Sequence, residues 1–303
     1  MSVLVVGSIA LDDIKTPTAE RKDILGGSAS YAAVSASYFG PVRMVGVVGK
    51  DFPENHVEYF KNRNIDLTGL EIAEGKTFRW SGEYMEDMNT RETLSVELNV
   101  FGEYMPTLPD SYKTNEVVLL GNIGPDLQHA ILDQSEKPGF VIADTMDLWI
   151  EIAHDRLKEL ISRVDMLILN DGEAQKFTGK HNLIKAGKDL RALGPKYVAI
   201  KKGEHGCILF GENEFFSIGA FPLEEVHDPT GAGDTFAGAV AGFLAHNIGA
   251  SGITDELIRR SIVHGSVMAS FNVEAFGFDR LRELKEQEVA DRYAEFVKIS
   301  RFS

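Results

Sequence analysis

The sequence predicts an α/β fold: a doubly wound, mostly parallel sheet flanked by helices, with a small β-lid. Three observations carry this. Short apolar runs closed by Gly, Asp or Asn recur at Val3–Gly7, Val42–Val48, Glu116–Leu120, Phe140–Ala143, Met166–Leu169 and Tyr197–Lys201, as strands buried on both faces require. Helical patterns lie between them, at Ser28–Phe39, Asn55–Asn62, Asp155–Arg163, Leu183–Leu193 and Asp234–His246, and such alternation argues for βαβ units. Asp255–Phe271 and Asp279–Val297 read as helices closing the fold. The third observation is a break in the pattern. Phe78, Trp80 and Tyr84, then Leu94, Val96, Leu98 and Val100, alternate with period two. That marks a half-exposed hairpin turning at Asp87–Asn89. The expected organisation is one domain over 1–303, with lid segments at about 12–25 and 77–101.

With 303 residues, 44% apolar and 25% charged, the chain is long enough for one large core. A net charge of -15 and no basic cluster speak against a nucleic-acid partner. Any anionic substrate must then find local positive potential, from helix N-termini, a few lysines or a metal ion. Cys207 is the single cysteine, so no intrachain disulfide forms and a reducing, cytoplasmic location is expected. The start reads as a strand and not as a signal peptide. No apolar run approaches the roughly 20 residues that span a bilayer, so no membrane partner is expected.

Three phosphate-binding devices can be excluded. Gly231-Ala232-Gly233 has Phe236 where the third glycine of a dinucleotide fingerprint belongs, and it lies late in the chain. Gly75-Lys76-Thr77 has Leu70 where a P-loop needs glycine. No His-Arg-Asp or Asp-Phe-Gly of a protein kinase occurs. What remains is Asp228-Pro229-Thr230-Gly231-Ala232-Gly233-Asp234, running into an Ala/Gly-rich helix. Small residues at Gly231, Ala232 and Gly233 leave backbone N–H groups uncovered at the positive end of a helix, an anion hole for a phosphoryl group. One such donor is worth about 3 kcal/mol in related acyl-transfer chemistry. Asp234 can take the proton of an incoming hydroxyl. A weak base suffices where the proton leaves late in a loose transition state.

These residues resemble the second signature of the PfkB (ribokinase-like) family of carbohydrate and nucleoside kinases. Gly26-Gly27-Ser28-Ala29-Ser30 resembles its early di-glycine, Gly49-Lys50-Asp51 its Gly-x-Asp turn, and Asn170-Asp171-Gly172-Glu173 its Asn-x-x-Glu motif. Lys202-Gly203-Glu204-His205-Gly206 resembles its nucleotide-side turn. The resemblance covers nearly the whole chain and implies a ribokinase-like fold. It also implies ATP-dependent transfer, with Mg²⁺, to a primary alcohol of a sugar or nucleoside. Asp234 then matches the base, and Gly231, Ala232 and Gly233 the anion hole. By the same resemblance, Asn170 and Glu173 are expected to organise Mg²⁺ through water. Lys202, Gly203 and Gly206 are expected to contact ATP, and His264 stands where some ribokinases have a histidine beside adenine. Asp228 and Thr230 match residues that hold a monovalent cation such as K⁺ in some relatives.

On the acceptor side, Asp12 matches the residue that holds substrate hydroxyls, with Asp13 as the alternative and Asn122 as a further candidate. Gly26, Gly27 and Ser30 complete the pocket. Tyr31 stands where sugar kinases of the family carry Asn, so it could stack on a substrate ring or close the pocket. The expected acceptor is a sugar or sugar derivative, with an adenosine-type nucleoside as the alternative on the same scaffold. An inactive metabolite-binding protein is the competing class. The apolar lid face also suits a homodimer.

Overall fold

The computed structural model describes residues 2–212, 215–249 and 252–301. In chain order its strands are β1 (Val3–Val6), β2 (Ala10–Lys15), β3 (Glu20–Gly26), β4 (Val42–Gly49), β5 (Ile65–Ala73), β6 (Phe78–Tyr84) and β7 (Arg91–Glu97). They continue with β8 (Val117–Leu120), β9 (Phe140–Asp144), β10 (Met166–Asn170), β11 (Tyr197–Lys201), β12 (Cys207–Phe210) and β13 (Phe215–Ile218). The helices are α1 (Ser28–Ala36), α2 (Glu54–Asn62), α3 (Pro125–Gln134), α4 (Asp147–Ile152), α5 (His154–Ile161) and α6 (Asp171–Thr178). They are followed by α7 (Leu183–Arg191), α8 (Ala232–Asn247), α9 (Asp255–Asn272), α10 (Asp279–Glu283) and α11 (Glu286–Ile299).

Because every residue of β1 is apolar, its side chains feed two cores. Val3 and Val5 pack on one side of the sheet, Leu4 and Val6 on the other. The large sheet has the order β13-β12-β11-β10-β9-β8-β1-β4-β5. All its neighbours are parallel except the β11–β12 and β12–β13 pairs. This is the ribokinase-like α/β architecture. From β1 the chain moves outward to β4 and β5; from β8 it moves the other way, to β9, β10 and β11. The switch between β1 and β8 opens a crevice at their carboxyl ends, where ligands settle in such sheets. Core truncations are costly here: Leu4→Ala, in a fully buried position, is worth about 2–5 kcal/mol.

The helix that carries the Gly-rich loop is held close. A Cβ on Gly238 of α8 would lie 2.1 Å from the Ala32 carbonyl oxygen of α1, and one on Gly242 would lie 2.7 Å from that of Ala36. Only glycine lets the two backbones approach so far.

A second sheet has the order β3-β2-β6-β7. The alternation of Leu94, Val96, Leu98 and Val100 is only partly realised. β7 ends at Glu97 and a 3₁₀ turn covers Asn99–Glu103. Val100 packs on the core, while Leu94, Val96 and Leu98 stay about half exposed.

Candidate active site

Three neighbouring strands of the large sheet end in polar residues: Asp144 on β9, Asn170 on β10 and Lys201 on β11. Gly231 caps α8 above them in a left-handed conformation (φ +72°). A Cβ there would lie 2.4 Å from the Tyr31 ring, so the turn needs glycine for both backbone and space. The Ala232 N–H donates to the Pro229 carbonyl at 3.2 Å. This corrects the expectation for Ala232: the tight turn occupies its donor, which leaves the first-turn N–H groups of Gly233 and Asp234 as the candidates to face an anion.

Asp234 sits in the first turn of α8. Desolvation, reinforced by the Asp144 carboxylate and offset by Lys201 and Arg91, pushes its pKa up to about 7. Glu173 is likewise pushed up to about 7, mainly by burial, with Lys201 opposing and Asp144 adding. Burial also raises Asp144 despite Lys201. The Lys201 Nζ lies 3.4 Å from each Asp144 carboxylate oxygen and 2.9 Å from where a Gly233 Cβ would stand. Three carboxyl groups thus share one buried ammonium, an excess of negative charge that suits a divalent cation. Among the described residues no group of three His, Cys, Asp or Glu side chains is arranged to hold a metal alone. Mg²⁺ typically takes one or two carboxylates and completes its shell with phosphate and water, and the residues here fit that mode.

Asn170 and Glu173 form a reciprocal capping box at the start of α6. Asn170 Oδ1 accepts from the Glu173 N–H at 2.8 Å, and Glu173 Oε2 accepts from the Asn170 N–H at 2.6 Å. Glu173 Oε1 is the oxygen this box leaves over.

On the other side of the crevice Asp12 is 4% exposed and its Oδ1 is buried without a partner. A Cβ on Gly26 would lie 1.9 Å from Asp12 Oδ2, so the first glycine makes room for this carboxylate. Gly27 (φ +92°) caps α1, and a Cβ there would meet the Ser8 carbonyl oxygen at 2.5 Å. Burial first, then Asp228, Asp234 and Asp13, hold the Asp12 carboxyl well above the usual carboxylate range. Asp13 instead accepts from the Asp23 N–H at 2.9 Å, which points Asp12 inward. Ser30 Oγ is also buried and unpaired. Asn122 accepts from Trp149 Nε1 at 3.0 Å through its side chain and from Ser28 Oγ at 3.3 Å through its carbonyl.

Three sequence expectations change. Tyr31 stacks on Phe278 (centroids 4.2 Å, 17° between planes) and lies under Gly231, so its ring supports the loop and has no face for a substrate. His264 is sandwiched between Phe243 and Tyr293, each 4.2 Å away, which leaves no ring face for adenine. Asp228 Oδ1 accepts from the Thr230 N–H at 2.9 Å and Oδ2 from the Gly277 N–H at 2.8 Å. Backbone donors therefore hold this carboxylate, and Thr230 Oγ1 is engaged with the Tyr84 hydroxyl at 3.2 Å; the pair works as a structural tie.

Lys202, Gly203 and Gly206 form the turn after β11. Lys202 N–H donates to the Gly206 carbonyl at 2.7 Å, and both glycines have positive φ. Asn89, at the tip of the β6–β7 hairpin, reaches this turn: its Oδ1 lies 3.0 Å from a Cβ position on Gly203. The small sheet thus touches both the Thr230 loop and the nucleotide-side turn. Sequence reasoning missed Lys201, Asp144 and Arg91, and placed Tyr84 only on the apolar face of the hairpin. Asp144 and Lys201 had a readable signal, a charged residue closing an apolar strand; Arg91 arrives through the hairpin and had none.

Comparison with known proteins agrees with this geometry. The profile described as pfkB family carbohydrate kinase matches residues 3–281. A cytidine kinase of Thermococcus kodakarensis is 32% identical over 254 residues, 81% of this chain and 88% of that protein. A nucleoside kinase of Methanocaldococcus jannaschii is 24% identical over 87% of this chain and 83% of its own length. Among solved structures, a ribokinase from Giardia lamblia superimposes with a TM-score of 0.81 at 18% identity, covering 97% of this chain and 99% of that one. The chain belongs to the pfkB family of carbohydrate kinases, phosphotransferases that act on alcohol groups.

Proposed function

We propose that the protein transfers the γ-phosphoryl group of ATP to a hydroxyl of a nucleoside or sugar, with Asp234 as the base. The observation that supports this most directly is the placement of Asp12 and Asp234 across one crevice, close enough for Asp234 to raise the Asp12 pKa. The unpaired Asp12 Oδ1 and Ser30 Oγ suit the vicinal hydroxyls of an acceptor. In the reaction Asp234 takes the acceptor proton as the hydroxyl oxygen bonds to the γ-phosphorus. The bond to the β–γ bridging oxygen breaks, and ADP leaves. The Gly233 and Asp234 N–H groups hold the oxygens on which charge spreads. Glu173, through the oxygen its capping box leaves over, would hold Mg²⁺ by way of water, and the ion would supply charge neutralisation. A pH-dependent base suits this site because a pKa about 7 keeps Asp234 half-ionised at neutrality.

The nucleoside acceptor is placed first, because the relative at 32% identity is a cytidine kinase; free sugars are the second reading, on the same Asp12 chemistry. The small sheet serves as a lid over the acceptor, and its exposed Leu94, Val96 and Leu98 suit a homodimer. Cys207 is a buried free thiol, consistent with a reducing, cytoplasmic setting, and no helix among the described residues is long and apolar enough to cross a membrane. An ATP-consumption assay with Mg²⁺, with and without K⁺, across cytidine, other nucleosides, ribose and hexoses tests the reading. Turnover is expected with at least one nucleoside or sugar; none across the panel would sink it.

A further inference from the structure

We propose that Lys201 is a fixed phosphoryl-contacting cation of the kinase site, held beneath the Gly231–Gly233 loop by Asp144 and aimed at the anion that the loop receives. The inference rests on the kinase reading above and adds a residue to it.

The geometry supplies three reasons. First, the ion pair with Asp144 is loose: Nζ stands 3.4 Å from both carboxylate oxygens, beyond the usual 2.7–3.2 Å of an N–H···O bond. An ammonium has three donors, so this contact leaves hydrogen-bonding capacity for a ligand. Second, the loop lies against it. A Cβ position at Gly233 lies 2.9 Å from Nζ, so the ammonium stands directly against the first turn of α8. Third, the start of a helix carries partial positive charge, and an ammonium placed against it is a like-sign juxtaposition. An anion between the two is attracted by both. The side chain is 17% exposed and its partner 5%, so water screens the pair little.

The competing role is that of a counter-ion that merely lets Asp144 be buried. The two roles separate in a set of full-length variants: Lys201→Met, Asp144→Asn, and the two combined, so that any loss due to Asp144 itself is read from its own variant. Each is assayed for kcat, for KM of ATP and acceptor, and for binding of Mg·ATP and Mg·ADP, with thermal melting as the check on folding. A contact to the transferred group predicts that Lys201→Met loses about 100-fold in kcat against wild type and the double variant about 100-fold against Asp144→Asn, as removal of one preorganised donor does, while acceptor KM stays within about 3-fold. It also predicts that any preference of the wild type for Mg·ATP over Mg·ADP shrinks. Equal kcat in the double variant and in Asp144→Asn would make Lys201 a counter-ion only and overturn the inference. So would unchanged kcat in Lys201→Met. If neither Lys201 variant melts cooperatively, Lys201 belongs to the fold and the inference also falls. Wild-type protein that turns over no acceptor would instead remove the kinase reading itself, so the two failures are distinguishable.

Discussion

Replacing Asp234 with Asn should disable the protein and stabilise it at the same time. In the folded state the Asp234 carboxyl titrates about 7 against 3.8 in an ordinary setting. A raised carboxyl pKa favours the protonated form, so the folded state binds this proton more tightly than the unfolded chain. The resulting stability is fully present below about pH 3.8 and is lost as pH rises through about 7. Above that, the protein carries a buried charge that Asn would not. The change from 3.8 to about 7 is worth about 4 kcal/mol at 1.36 kcal/mol per pH unit. Because Asp234 is partly exposed, water screens part of this, leaving about 2 kcal/mol. The gain should fall to about 0.5 kcal/mol at pH 4.5, where the wild type is itself protonated. Paired denaturant melts of wild type and Asp234→Asn at pH 8 and pH 4.5 read the difference directly. In melting temperature the pH 8 gain is about 4 °C for a chain of this size. Activity of the variant should fall by about 10³-fold or more, within the range for loss of a general base. Equal stabilisation at both pH values, or a loss at pH 8, would refute the account of Asp234 as a desolvated carboxylate.

Other perturbations follow from the same geometry. Gly26→Ala should behave like Asp12→Ala, because its Cβ would collide with Asp12 Oδ2: acceptor KM rises about 10-fold or more while KM for ATP stays within about 3-fold, by steady-state kinetics. Gly231→Ala combines a left-handed backbone with a clash against Tyr31, so about 2–4 kcal/mol of stability should be lost in a chemical melt. Tyr84→Phe removes the hydroxyl that meets Thr230; about 1 kcal/mol of lid closure is lost, read as roughly fivefold faster acceptor release in stopped flow.

The large sheet was legible because its strands are buried on both sides, which forces unbroken apolar runs with polar stops. The Gly231–Asp234 loop was legible because a left-handed cap and close packing both demand small residues. The lid was harder. Every residue of its strand Arg91–Glu97 is exposed to some degree, so the alternation gave its presence but misplaced its end, and the 3₁₀ turn at Asn99–Glu103 carries no periodic signal. Lys201 was overlooked beside Lys202 because two adjacent lysines look alike in one dimension; the register of β11 points the first into the site and leaves the second on the turn. Of the two expectations for Tyr31, stacking on a substrate ring fails for a similar reason. Its partner Phe278 lies 247 positions away, and nothing local announces that its ring is a buttress.

The contacts of the hairpin tip with Gly203 and of Tyr84 with Thr230 have a kinetic consequence. A cleft that rests shut admits substrate only during its open intervals, so the observed affinity is the intrinsic one reduced by the open fraction. If the hairpin covers the cleft, as proposed, each contact that holds it down slows entry as well as escape. The residues of the hairpin tip, which never touch the transferred group, would then help decide how long a captured acceptor waits beside it.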